Sequence, residues 1–404
     1  MIGAKPKVLI FLNRLVIGGP AIDVISMAGF LQTDFDILII YGDKEPDEVD
    51  ANYLLNHYPS LKTIKINTLK KSFNPIANLK VIFNVVSIVK TFKPDLIHTH
   101  GALPGVLGRL AASYCRVPIK VHTFHGHFFH SYLNSFFSAG IILLEKMLAS
   151  ITTSIIATSK SQCDDLVKKY KVAPLSKVTT IQLGIDESFL DGFKNGNTSL
   201  FSIRYKPKEE SICVGIIARI VKVKNFNLFV EVVDKLLKKT KNKVVFYVIG
   251  DGYLKQDIQK SLTEKSISWS DEKHATENPS VIFTSWVSRI GEALSMLDIV
   301  LLTSNNEGTG LSLAESQYCG KPVVATKVGG VADTVLDGET GFLVPPSDPD
   351  TFTEKLLLLT ENNELRLQMG KAAEAFAHEK FSKKTEVETV KALYYELLNQ
   401  INYN

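Results

Sequence analysis

Two glutamates bracket a glycine-rich turn in the run Glu307-Gly-Thr-Gly-Leu-Ser-Leu-Ala-Glu315. The strand-like stretch Ile299–Leu302 and a polar loop precede it, and Leu311–Cys319 has helical character. Gly308 and Gly310 strip side chains from the helix entry, so backbone amides from Gly308 through Thr309 and Gly310 to Leu311 can face a ligand. A helix N-terminus favours an anion such as phosphate. Carboxylates beside an anion site would repel it. They make sense if they accept from hydroxyls flanking a diphosphate, Glu307 from a sugar and Glu315 from a ribose. A glycine loop with two surface glutamates accounts for the same residues.

A second cluster, Gly215-Ile-Ile-Ala-Arg219-Ile-Val-Lys-Val-Lys224-Asn225, closes a strand and opens a helix. Arg219 and Lys224 can both reach one diphosphate, the first as a planar fork and the second as a point charge. Lys222 reads as solvated. Gly250-Asp-Gly252 is a further turn at a strand end and Gly250 a candidate donor contact, although such a turn alone is an ordinary one. Gly18-Gly19-Pro20 lies at the first strand-to-helix turn, where glycines allow close ligand approach. Its spacing is not that of a nicotinamide-dinucleotide fingerprint.

Six of the nine histidines lie between His98 and His130. A zinc site is disfavoured, because no cysteine and only Asp95 accompanies them. His98 and His100 are read as pointing to opposite faces of their strand. His125, just past the strand Ile119–Thr123, is placed to hydrogen-bond a sugar or phosphate. His122 and His127 read as packed, and His130 as surface. Asp34-Phe-Asp36 and Asp348-Pro-Asp350 are explained structurally, the latter as a helix cap. No metal is expected.

These residues need elements to hold them. Short β-branched runs at Val8–Leu12, Asp36–Tyr41, Asp95–Thr99, Ile119–Thr123 and Ser154–Thr158 alternate with helical stretches such as Pro75–Phe92 and Pro104–Ser113. Ser159 is expected to cap a helix over Lys160–Tyr170. The rhythm breaks over residues 186–210, which read as a linker. It restarts with strands at Ile212–Ile217, Val244–Ile249, Val281–Phe283, Ile299–Leu302, Val323–Thr326 and Phe342–Val344. Leu262–Asn278 reads as an insertion loop, and the chain is helical from Asp348 onward. Apolar strands alternating with helices imply parallel sheets covered on both faces. The expectation is two doubly wound α/β domains with a cleft between them, ligands sitting beyond the carboxyl ends of the strands.

A chain of 404 residues suits two domains. No apolar run approaches the ~20 residues that cross a bilayer, and the N-terminus lacks a signal-peptide pattern. Four scattered cysteines fit a reducing, cytoplasmic setting. Residues 1–190 carry 20 Lys and Arg against 14 Asp and Glu, the remainder 26 against 28. The basic first half fits an anionic membrane face or a phosphorylated substrate, or else is ordinary solvation. Nucleic acid is not expected.

Together these residues resemble the retaining glycosyltransferase family 4, of the GT-B fold. The resemblance rests on Glu307 and Glu315, on Arg219 and Lys224, on Gly18-Gly19, on Asp95–Gly101, on His122–Gly126 and on Gly184-Ile-Asp186. It implies an N-terminal acceptor-side domain over 1–190 and a nucleotide-sugar-binding domain over 191–381. A C-terminal helix of about 382–404 would return to the first domain. It implies that Arg219 and Lys224 hold the diphosphate, with Gly19 contacting it from the other domain. Glu307 and the amides of Gly308 to Leu311 would hold sugar and phosphate, Glu315 the ribose, and His125 would face the transferring sugar. It implies metal-independent, retaining transfer through front-face attack, without cofactor. The histidine-rich segment looks most like bacterial enzymes of surface-polysaccharide synthesis. That implies a UDP-sugar donor, a hexosyl or N-acetylhexosaminyl group, and a glycan or polyprenyl-diphosphate-linked acceptor; peripheral contact at the inner membrane face is expected from the basic first half instead. A nucleotide-sugar epimerase on the same fold and a non-catalytic nucleotide-sugar-binding protein are the alternatives. Departures from the family pattern occur at Pro20-Ala21-Ile22, at Asn225 and at Thr284-Ser285-Trp286.

Overall fold

The computed structural model describes residues 4–45, 48–70, 75–126, 135–190, 192–193 and 200–402. The chain forms two units, one of residues Met1–Gly184 with Lys383–Asn404, the other of Ile185–Ser382. The boundary falls at Gly184 and Ile185 rather than near residue 190. The reason is local: Ile185 N–H donates to the Phe381 carbonyl at 2.8 Å, and Ile185 and Leu190 pack into the core of the second unit.

The N-terminal unit holds seven strands: β1 (Lys7–Arg14), β2 (Asp36–Gly42), β3 (Lys62–Ile66), β4 (Leu96–His100), β5 (Ile119–Phe124), β6 (Ser154–Ala157) and β7 (Val178–Thr180). They pair in the order β3-β2-β1-β4-β5-β6-β7, all parallel. Leu9, Ile97, Phe124 and Ile155 share one face by register. That face packs against the helices Pro75–Phe92, Ala102–Tyr114 and Ser135–Ser150. The opposite face carries His98, His100 and Thr123, with the helices Gly19–Leu31 and Lys383–Asn402 beside it.

The return helix Lys383–Asn402 is fastened by charge. The Lys383 ammonium donates to Asp23 Oδ1 and Glu386 Oε2, each at 2.8 Å, and Gly184 N–H donates to Glu386 Oε2 at 2.6 Å. All three side chains are at most 5% exposed. Burial alone would raise Asp23, but Lys383 leaves it below its usual value. Burial and the charge of Asp23 push Glu386 well up. On the other face Arg109, fully buried, donates to Glu145 at 2.7 Å and to the Gly105 carbonyl at 2.6 Å.

The second unit repeats the plan with β8 (Ile212–Ile217), β9 (Val244–Ile249), β10 (Trp269–Ser270), β11 (Val281–Ser285), β12 (Ile299–Leu302), β13 (Val323–Thr326) and β14 (Gly341–Val344). The order is β10-β11-β9-β8-β12-β13-β14, again parallel. Chain order reverses between β8 and β12 here and between β1 and β4 in the first sheet. A doubly wound sheet opens a ligand crevice at such switch points. Three strands lie outside the sequence expectation. β10 falls in the stretch read as an insertion loop, which also contains the end of the helix Lys255–Glu264. β3 and β7 are short edge-side strands. Residues 200–205, read as linker, form a helical turn.

Both Asp-x-Asp sequences are structural. Asp348 Oδ1 accepts from Thr351 N–H at 3.0 Å as a helix cap, and Asp34 and Asp36 pair with Lys391 and Lys62.

Candidate active site

β8 and β12 flank the switch point of the second sheet, and the two motifs singled out by sequence follow them directly. After β8 the chain passes Arg219, which is exposed, and makes a tight turn over Lys222–Lys224. Asn225 then takes the left-handed conformation, φ 48°, and the helix Phe226–Lys239 begins. After β12 a loop leads through Glu307 to Gly310, φ 73°, which caps the helix Leu311–Tyr318.

The two loops are stitched together. Asn305 N–H donates to the Val223 carbonyl at 2.8 Å, Thr303 Oγ1 to the Lys224 carbonyl at 2.9 Å, and Asn225 Nδ2 to Asn305 Oδ1 at 3.1 Å. Across them the Lys224 ammonium donates to Glu307 Oε1, which also accepts from Ser304 Oγ at 2.5 Å. The Lys224 and Glu307 side chains are 20% and 11% exposed. A carboxylate beside a helix N-terminus would repel a phosphate; here a cation and a hydroxyl neutralise it. Residues that sequence treated as separate contacts thus form one charge-balanced unit.

Residues outside the sequence reading hold this unit. Gly330 N–H donates to the Glu307 carbonyl at 3.2 Å. Gly329, at φ 48°, lies so close that a Cβ there would meet that carbonyl oxygen at 2.1 Å. Thr334 Oγ1 donates to the Thr309 carbonyl. The Gly-Gly pair after β13 was the available signal, but its partner lay in another loop. Gly250 has a comparable reason: it is buried, and a Cβ would meet the Ala218 carbonyl oxygen at 2.1 Å. It lets the β9 turn press on the backbone next to Arg219. Ser285 Oγ donates to Asp251 at 2.8 Å from a left-handed conformation, φ 57°, where glycine carries no penalty.

Glu315, on the helix Leu311–Tyr318, is 7% exposed, and its carboxyl has neither hydrogen-bond nor ion-pair partner among the described residues. Burial pushes its carboxyl up to about 7. Gly308, Thr309 and Gly310 are buried, and Leu311 is half-buried.

Gly18, Gly19 and His125 belong to the N-terminal unit. Gly18 follows β1 and caps the helix Gly19–Leu31, with open space above its Cα. His125 Nε2 lies 2.9 Å from His100 Nδ1, the rings stacked, while its Nδ1 is buried without a partner. Burial lowers both rings, so both are neutral near pH 7. His98 and His100 do not point to opposite faces: their ring centroids are 4.0 Å apart. Residues two apart on a strand share a face. His98 is satisfied by Tyr394 at 2.6 Å and Thr123 at 2.7 Å. His122 is packed, with Nδ1 2.9 Å from Thr99 Oγ1. His127 and His130 lie outside the described residues. Among the described residues no group of three or more His, Cys, Asp or Glu could hold a metal ion.

The family description "Glycosyltransferase Family 4" matches residues 17–189, and "Glycosyl transferases group 1" matches 200–376. The chain belongs to the family 4 glycosyltransferases. It is 26% identical over 368 residues to the UDP-Gal:alpha-D-GlcNAc-diphosphoundecaprenol alpha-1,3-galactosyltransferase of Escherichia coli, covering 90% of each chain. It is 27% identical to the capsular polysaccharide biosynthesis glycosyltransferase CapM of Staphylococcus aureus, over 82% of this chain and 84% of that one. Among solved structures, Anabaena HepE in complex with UDP and glucose superposes with a TM-score of 0.77 at 18% identity. That match covers 97% of this chain and 100% of the other. The fold is GT-B, two Rossmann-like domains.

Proposed function

We infer that this glycosyltransferase moves a hexosyl or N-acetylhexosaminyl group, with retention, from a UDP-sugar to a lipid-linked saccharide during bacterial surface-polysaccharide synthesis. The observation that carries the reading is the Lys224–Glu307 pair, held at the switch point beside the start of the helix Leu311–Tyr318. The names of the two relatives support donor and acceptor class. In this proposal the donor diphosphate lies between Arg219, Lys224 and the amides of Gly308 to Leu311, and Glu307 accepts from a sugar hydroxyl. The acceptor oxygen bonds to the anomeric carbon on the face from which the diphosphate oxygen leaves. Its proton passes to that departing oxygen. Cations and amide dipoles stabilise the leaving charge without a metal. Gly18, Gly19 and His125 enter on the family resemblance alone.

The test is to incubate the protein with UDP-sugars and a polyprenyl-diphosphate-linked N-acetylhexosamine, with and without EDTA, and to determine the product anomer by NMR. A retained product at a rate unaffected by EDTA is expected. Inverted product, or epimerised donor when acceptor is omitted, would overturn the reading.

Glu315 adds a proton-linkage prediction. In the unfolded chain its carboxyl titrates at the ordinary value of 4.5, in the folded chain at about 7. Between these values the folded state holds a proton that the unfolded state gives up, so its contribution to stability is lost as pH rises through the window. A ribose diol donates to the ionised carboxylate and draws the group back down. Binding of UDP near pH 6.5 should therefore release up to about one proton. Calorimetric titration in two buffers of different ionisation heat reads this directly. Equal heats, or a release that survives Glu315→Gln, would remove Glu315 from the nucleotide site.

A further inference from the structure

Three neighbouring helices on one face of the N-terminal sheet turn apolar side chains outward. Leu79 and Phe83 stand on Pro75–Phe92, Leu110 and Tyr114 on Ala102–Tyr114, and Leu143 and Met147 on Ser135–Ser150. Phe83, Tyr114, Leu143 and Met147 are each more than 60% exposed. The helices are tied side by side: the Lys90 ammonium lies 5.5 Å over the Tyr114 ring, and Arg109 of the second helix pairs with Glu145 of the third. A surface helix of a globular protein ordinarily turns its polar face outward, and an extended exposed apolar patch marks an interaction surface.

The charge around this face selects the partner. Residues 51–150 contain eleven Lys and Arg, of which Lys62 and Lys65 on β3 and the buried Arg109 are paired with acids, and only two acids, Asp95 and Glu145. Asp95 accepts from Lys7 N–H at the start of β4, and Glu145 is buried against Arg109. The outward face of the three helices therefore offers apolar groups and cations, Lys80 and Lys146 among them, both exposed, without an exposed carboxylate among its described residues. Two copies of so basic a face repel one another. An anionic bilayer meets both features, its acyl boundary taking the apolar groups and its headgroups the lysines.

We propose that this three-helix face is the surface by which the N-terminal unit docks on an anionic lipid bilayer. The inference draws on the proposed function only for the membrane-borne acceptor. No helix of the described residues is long and apolar enough to span a membrane, so the contact is peripheral.

The experiment is co-sedimentation of the full chain with phosphatidylcholine vesicles and with vesicles containing about 30 mol% phosphatidylglycerol, at low and high salt. Binding to the anionic vesicles that weakens with salt is expected. The triple variant Phe83→Ser, Leu143→Ser and Met147→Ser should lose roughly tenfold or more in partitioning. Lys80→Glu with Lys146→Glu should lose roughly fivefold per residue on anionic vesicles alone. Circular dichroism verifies that each variant is folded. Wild-type protein that stays in the supernatant, or variants that sediment like wild type, overturns the proposal. So does a dimer, seen by sedimentation equilibrium, that the triple variant dissociates. Transfer to a carrier-free acceptor separates this proposal from the functional one. If only docking fails, the soluble acceptor is still glycosylated. If only the function fails, vesicle binding persists without turnover.

Discussion

Lys224→Ala should lower sugar transfer by roughly two to three orders of magnitude, the range seen when one preorganised group opposite a developing oxyanion is removed. The expected loss has two parts. The alanine variant lacks the cation proposed to meet the leaving diphosphate. It also leaves Glu307, 11% exposed and paired with Lys224, with the hydroxyl of Ser304 as its one remaining side-chain donor among the described residues. That carboxylate would then repel the phosphate the loop is proposed to bind. A double-variant cycle separates the parts. Glu307→Gln, added to Lys224→Ala, should recover part of UDP affinity, because the repulsion is gone. It should recover no turnover, because both groups are proposed to act on the reacting sugar phosphate. Calorimetry gives the first quantity and steady-state kinetics the second. Strict additivity in binding would mean that the pair does not work as a unit, and wild-type kcat/KM in the single variant would remove it from the site.

Lys383→Met is expected to cost about 3–5 kcal/mol of local stability, the range for breaking a buried ion pair from one side. The methionine fills the space but leaves Asp23 charged and buried beside Glu386. The share of the pH dependence that comes from Asp23 should change sign with the substitution, on top of the share from Glu386, which already falls with rising pH in the wild type. In the wild type Asp23 is held below its ordinary value, so its contribution is present above that value and fades as pH falls through the lowered one. Without the ammonium, burial raises the same carboxyl. The variant is then most stable in acid and loses stability as pH rises past about 4. Hydrogen exchange of the helix Lys383–Asn402 followed against pH reads both slopes. The two units make a single global unfolding free energy ill-defined, which is why a local measurement is preferred. Asp23→Asn in the Lys383→Met background should restore most of the loss. A variant with wild-type exchange at neutral pH would show that the triad does not hold the helix.

Much of the architecture was legible because it repeats. Ile212–Ile217, Val244–Ile249, Ile299–Leu302 and Val323–Thr326 are strands at the expected bounds, since buried parallel strands read as unbroken apolar runs. β3 was not, because Lys62-Thr-Ile-Lys-Ile is an edge strand with lysines facing out. β10 has two residues, too few for any pattern. The motifs themselves stood out through glycines and charges at strand ends. Their pairing did not. Lys224 and Glu307 are 83 positions apart, and only the β8–β12 neighbourhood places them together. Ser304, Gly329 and Gly330 were invisible as supports for the same reason. The facing of His98 and His100 was in the sequence all along, since a spacing of two on a strand means one side.

The unit that begins at the N-terminus includes Lys383–Asn404, with Tyr394 on His98 and Lys383 on Asp23. Synthesis therefore makes this unit first and finishes it last. While residues 185–382 are being made and folded, the earlier sheet waits on the ribosome with the His98 face uncovered and Asp23 lacking its ammonium. A premature stop near residue 383 would leave the whole sequence of the second unit in place and strike the first, at the far end of the chain from most of its residues.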